Sequence, residues 1–244
     1  MEKSYSEFGQ RFRDVEKNLK TIRERIAEAA AQSGRAPEDI ALLAATKTVP
    51  AEVINHAVSL GVQHIGENRV QELEEKYDAY DLAHCDLQFI GHLQTNKVKY
   101  LVGRVSMIQS VGNAKLAGEI SRLYSARGLT ADILVEVNIG EEPNKSGAAP
   151  AELGALLEQI APLPAVRVRG LMAIPPANAS ERETMNYFFR MHQYFVDIKA
   201  QKTDNIAMDY LSMGMSSDYP LAIRSGANMV RIGTALFGPR NYPE

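Results

Sequence analysis

The chain has 244 residues, of which 45% are hydrophobic and 23% charged, with a formal net charge of −3. That length suits one large α/β core, and the near-neutral charge supplies no electrostatic attraction to nucleic acid or an anionic membrane. Cys85 is the sole cysteine, which excludes an intramolecular disulfide and points to a reducing compartment.

No apolar run approaches the roughly 20 residues needed to cross a bilayer. The N-terminus, MEKSYSEFGQRFRDVEKNLK, is charged throughout and lacks the apolar stretch of a signal peptide. The expectation is a cytoplasmic globule without nucleic-acid or membrane partners, either a monomer or a weak dimer.

In chain order, Tyr5 to Ser33 reads as one helix. Phe8, Phe12, Val15, Leu19, Ile22, Ile26 and Ala29 recur at steps of three and four, Gly34 suits the C-cap and Pro37 stops continuation. Short apolar runs then alternate with helical patterns. The runs are IALLAAT (40–46), VQHIGE (62–67), LQFIGH (87–92), VSMIQSV (105–111), ADILVEVN (131–138), VRVRGLMAI (166–174), AMDYLSMG (207–214) and NMVRIGT (228–234). Helices are expected between them, near Pro50–Leu60, Val70–Lys76, Thr95–Val102, Ala114–Ala126, Pro150–Ile160, Ser180–Lys199 and Ser217–Ser225.

Eight such units imply a parallel sheet covered by helices. With no GxGxxG after the first strand, closure is favoured over a dinucleotide fold. The predicted fold is therefore a (β/α)8 TIM barrel with an extra N-terminal helix. It forms a single unit over 1–244, with the helix in 1–36 and the barrel in 37–244. The sequence leaves the role of the first helix open, a cover for the barrel's N-terminal side being one reading.

In such a barrel the chemistry sits where strands end. The first strand ends at Lys47. Low-dielectric walls there favour the neutral amine that imine chemistry requires, although a lysine at a strand end also snorkels readily into water. Ser216 and Ser217 are expected to open the helix after the seventh strand, and Gly233 and Thr234 follow the eighth. Loops seven and eight commonly bind phosphate; plain capping is the competing reading. Arg231 interrupts an apolar run and needs an acceptor, either a ligand or a carboxylate such as Asp209 or Glu136. A lysine, an arginine and a phosphate cradle suit an aldehyde-bearing phosphorylated heterocycle. His56, His64, His84, His92 and His192 show no zinc spacing, so no metal is expected.

The strings TKTVP (46–50), IGENRVQE (65–72), FIGHLQTNK (89–97), VNIGEEPNKSG (137–147), GLMAI (170–174), SMGMSSD (212–218) and VRIGTALFG (230–238) resemble those of the pyridoxal phosphate homeostasis protein family. That family is itself similar to the N-terminal barrel of alanine racemase, and the likeness runs from Ile40 to Gly238. It implies pyridoxal 5′-phosphate as the coenzyme, held as a Schiff base on Lys47. Ser216, Gly233 and Thr234 are implied as phosphate contacts, Arg231 as the residue facing the pyridine nitrogen, and Asn68 and Met172 as neighbours of the ring. Lys145 matches a recurring lysine of open role.

The resemblance also implies homeostasis of the coenzyme, with apo-enzymes as recipients, and no catalytic residue. Arginine stays protonated and cannot donate a proton to the ring, which weakens the ring as an electron sink. Alanine racemase takes its second base from a further β domain that these 244 residues are not expected to supply. Two alternatives stand beside this reading. One is an amino-acid racemase with an unidentified second base. The other is a phosphate-binding barrel in which Lys47 only positions a phosphorylated metabolite.

Overall fold

The computed structural model describes residues 2–239; Met1 and residues 240–244, the ends of the expected unit, lie outside them. Eight parallel strands close into a barrel in simple sequence order, β1 to β8, as the sequence predicts. They are β1 (Ala41–Ala45), β2 (His64–Glu67), β3 (Asp86–Phe89), β4 (Met107–Val111), β5 (Ala131–Val137), β6 (Val166–Ala173), β7 (Ile206–Ser212) and β8 (Met229–Ile232). Closure runs through β1 and β8, where Leu43 stands opposite Arg231.

The helices are α1 (Glu2–Gln32), α2 (Ala51–Ser59), α3 (Val70–Lys76), α4 (Ala114–Ser125), α5 (Leu153–Ile160), α6 (Glu181–Gln201), α7 (Tyr219–Arg224) and α8 (Thr234–Phe237). Two of them are capped at their N-termini by side chains. Asn113 accepts the N–H of Leu116 at the start of α4, and Ser180 forms a reciprocal capping box with Glu183 on α6. The helix expected near Thr95–Val102 is instead a 3-10 helix over Thr95–Tyr100. Val98 is its single buried residue, so it has no apolar face long enough to sustain several α-turns.

The first helix runs along the outside of the barrel against α2, α7 and α8, and its Arg23, Ile26 and Ala27 line the cleft at the N-terminal ends of the strands. Phe12 stacks on His56 of α2 with ring centroids 4.4 Å apart. Asn18 donates to the carbonyl of Leu236 in α8 at 3.0 Å, and Arg23 to that of Leu60 at 2.9 Å. Beyond the helix, Arg35 donates to the carbonyls of Ala227 and Ile223. Since α8 has only four residues, β8 lacks an outer helix of its own, and α1 fills that place. Its stripe of Phe12, Val15, Leu19, Ile22 and Ile26 is buried, each side chain contributing about 2 kcal/mol of transfer free energy.

Alternation along the strands separates two cores. Ile133, Val135 and Val137 of β5 face outward into the large core beneath the helices. Leu43, Ile90 and Met229 form a small cluster of their own, and Met107, Leu134 and Met172 another, with Tyr210 touching both. These fill the barrel's interior. A register shift between β6 and β7 depends on Gly170, at φ 151°. A Cβ there would stand 1.8 Å from the carbonyl oxygen of Tyr210, so only glycine allows that approach.

Candidate functional site

Lys47 lies just beyond β1 in a turn closed by the Val49 N–H on the carbonyl of Thr46 at 3.0 Å. The next residue, Thr48, has φ 63°, a left-handed conformation that a β-branched side chain resists. Glu72 of α3 holds it there, accepting the Thr48 N–H at 2.8 Å. Lys76 donates to the carbonyls of Thr46 and Val49 at 3.3 and 3.4 Å, and pairs with buried Glu67 at 2.5 Å. The same Glu67 Oε1 accepts the hydroxyls of Thr46 and Tyr80 at 2.8 and 2.6 Å. Burial, followed by the Glu67 charge, pushes the Tyr80 phenol well above its ordinary range. The turn that carries Lys47 is thus clamped from behind by a buried ionic network.

On the neighbouring strand, Arg231 is only 4% exposed. Its guanidinium donates to the Ser212 hydroxyl at 2.6 Å and to the carbonyl of Ala173 at 3.0 Å. Ser212 in turn donates to Gln109 Oε1 at 2.7 Å, and Gln109 donates to Gln88 Oε1 at 2.7 Å. A hydrogen-bonded chain therefore crosses the barrel interior from β3 to β8 and fixes the arginine. Burial lowers Arg231 to about 10 against the opposing pull of Glu136 and Asp218. Of the two carboxylates suggested as its partners, Asp209 is committed to Arg169 at 2.6 Å. Glu136 acts on Arg231 through charge.

The turns after β7 and β8 meet. Ser216 does not open a helix as expected, because α7 begins at Tyr219 and the preceding turn is closed by the Met215 N–H on Asp218 at 2.6 Å. The Ser216 hydroxyl instead accepts the N–H groups of Gly233 and Ala235 at 3.3 and 3.1 Å. Thr234 is exposed at the start of α8. Together these groups present the Ser216 and Thr234 hydroxyls at one point on the rim, with the Gly233 and Ala235 N–H groups bonded to the serine oxygen.

Lys47, Gly233 and Thr234 line one cavity of about 470 Å³, which Arg11, Asp14, Lys17 and Asn18 of α1 also line. Ser216, Arg231, Asn68 and Met172 are not in its wall. Ser216 joins it through its bond to Gly233, while Met172, 1% exposed, belongs to the barrel interior beside the arginine's shell. Asn68 follows β2, and its carbonyl is packed so closely on Gly91 that a Cβ there would lie 2.0 Å away. A larger cleft of about 690 Å³ opens around Arg23, His64, Tyr210 and Asn228 at the opposite end of the barrel. It contains none of the candidate residues, and parallel barrels work at the end where the strands finish.

The match to known proteins is extensive. The alanine racemase N-terminal domain family matches residues 17–241. The pyridoxal phosphate homeostasis protein of Aquifex aeolicus is 43% identical over 224 residues, covering 92% of this chain and 97% of that one. The chain belongs to the pyridoxal phosphate homeostasis protein family. PipY of Synechococcus elongatus, a structure with pyridoxal phosphate bound, is 35% identical with a TM-score of 0.76, covering 87% of this chain and all of that one. Alanine racemase of Clostridium difficile, at 17% identity and a TM-score of 0.72 over 95% of this chain and 57% of its own, shares the barrel fold.

Within this family frame, Lys145 lies half-exposed beside Glu142 at 3.9 Å. His92 meets Ser146 at 3.0 Å and joins the loop after β3 to the loop after β5. Reading the sequence missed the α1 residues on the cavity wall, because nothing local in a solvent-facing helical stripe reveals which mouth it borders. It also gave Glu136 no role beyond a partner for Arg231. The signal was present, since Glu136 interrupts an apolar strand just as Arg231 does.

Proposed function

We propose that this chain holds pyridoxal 5′-phosphate on Lys47 as a Schiff base and serves homeostasis of the coenzyme rather than a dedicated reaction. The observation that carries the reading is the single cavity shared by Lys47 and the Gly233–Thr234 turn, with Arg231 on the adjoining strand. The donor set fits the coenzyme. Lys47 would hold the coenzyme through its amine, at the aldehyde carbon. The hydroxyls of Ser216 and Thr234, beside the Gly233 turn, suit a phosphate, and Arg231 suits the ring. Asn68 and Met172 are assigned to the ring's flanks. When bound, the coenzyme supplies an aldehyde that exchanges between amines and, through them, passes to apo-enzymes.

The names of the relatives support this reading, since they are homeostasis proteins. The test is the visible absorption of the purified protein with added pyridoxal phosphate, before and after borohydride, followed by peptide mass mapping. A band lost on reduction, a pyridoxyl adduct on Lys47, and the absence of both in Lys47→Ala are expected. Colourless protein without an adduct would overturn the reading in favour of a phosphate-binding barrel. Steady turnover of D- or L-alanine would replace it with a racemase.

A further inference from the structure

We propose that Glu136 is an additional coenzyme-facing residue, a buried acid that holds a proton at the edge of the ring and sets how much of the Arg231 charge reaches it. The inference rests on the coenzyme reading above and deepens it.

Glu136 belongs to the interior face of β5, two residues beyond Leu134, and pairs in register with Met172 of β6. It is 8% exposed, and its Oε2 has no hydrogen-bond partner. Buried polar atoms in folded proteins are satisfied with few exceptions, and an exception asks for a missing partner. The backbone is pinned at this point, because the carbonyl of Glu136 accepts the Ala148 N–H at 2.8 Å. Arg231 donates to the carbonyl of Ala173, the residue next to Met172. The acid and the base therefore border the same patch at the mouth of the barrel, and each acts on the other through charge.

Among the described residues, the other charged or titratable groups in the loops that follow the strands include Lys47 after β1, Arg69 after β2, His92 after β3, Glu141, Glu142 and Lys145 after β5, and Asp218 before α7. Burial raises Glu136 to about 6, so its proton is exchanged in the range where the protein is handled. Ionised, Glu136 offsets Arg231. Protonated, it donates to an acceptor on the ring and leaves the full guanidinium charge for the anionic ligand. A phosphorylated heterocycle then binds more tightly as Glu136 takes up its proton. Glutamine at this position is a permanent stand-in for the protonated acid.

The experiment compares wild type with Glu136→Gln, titrating pyridoxal phosphate from pH 5.5 to 8 and following both Kd and the position of the bound absorption band. Near pH 7.5 the variant is expected to bind about tenfold more tightly than wild type. The difference should vanish by pH 5.5, with the band shifting in wild type alone. Equal affinities and identical pH profiles in a wild type that does form the Lys47 adduct would overturn the role of Glu136 and leave the coenzyme reading intact. A wild type that forms no adduct would remove both. If the variant does not fold, infrared difference spectra of wild type serve instead. A carboxylic-acid band that grows on adding pyridoxal phosphate at pH 6.5 supports the inference, and its absence overturns it.

Discussion

The hydroxyl of Ser216 accepts the N–H of Gly233, so the turn after β7 and the turn after β8 are stitched into one rim before any ligand arrives. The same oxygen also takes the Ala235 N–H. In the proposed reading a phosphate meets the Ser216 O–H on a rim ordered during folding, with the two N–H groups bonded to the serine oxygen. Ser216→Ala removes the stitch and one donor while leaving the backbone N–H groups in place. We expect a loss of about 1 kcal/mol in urea unfolding. Binding of pyridoxal phosphate should weaken about tenfold, read by equilibrium absorption, because the charge-assisted bond from the Ser216 hydroxyl is lost. Unchanged binding would remove Ser216 from the phosphate set.

Thr48 argues for a trade between stability and placement. Its left-handed backbone is held by Glu72 against the preference of a β-branched residue, a strain of about 1–2 kcal/mol. Glycine relieves that strain but gives back part of it as unfolded-state entropy. Thr48→Gly is therefore expected to leave the protein equally stable or about 1 kcal/mol more stable. The turn that carries Lys47 becomes freer, so the yield of Lys47 adduct after borohydride should fall. A variant that loses both stability and adduct would mean that Thr48 contributes through its side chain instead.

The barrel was legible because its signals are local. Eight apolar runs separated by helical periodicity define the strands, and a strand's last polar residue marks the working end. Lys47, Arg231 and the Gly233–Thr234 turn could be picked out on those grounds. What stayed hidden depends on distant packing. The position of α1 follows from the shortness of α8, which no feature of the α1 sequence announces. Ser216 looked like a helix-opening residue because serine commonly caps, yet Asp218 closes that turn and frees the serine to reach across to β8. The clamp of Glu67, Glu72 and Lys76 behind Lys47 joins β2 and α3 to the turn after β1, and the charged stretch 72–76 reads from sequence simply as a solvated helix face.

The last prediction concerns the protein without ligand and follows from Glu136 alone. Burial lifts its carboxyl from an ordinary value of 4.5 to about 6 in the folded protein, with Arg231 opposing the shift. Between those values the folded state binds more protons than the unfolded chain, so stability falls as pH rises through the window. A shift of that size amounts to about 2 kcal/mol, fully present below pH 4.5 and lost above pH 6. Glu136→Gln cannot ionise and should not show this loss. Its urea midpoint is therefore expected to exceed that of wild type at pH 7.5, and the two stability curves should converge as pH drops towards 4.5. Parallel curves across the range would mean that Glu136 ionises in the folded protein as freely as in water, which its burial beside Arg231 argues against.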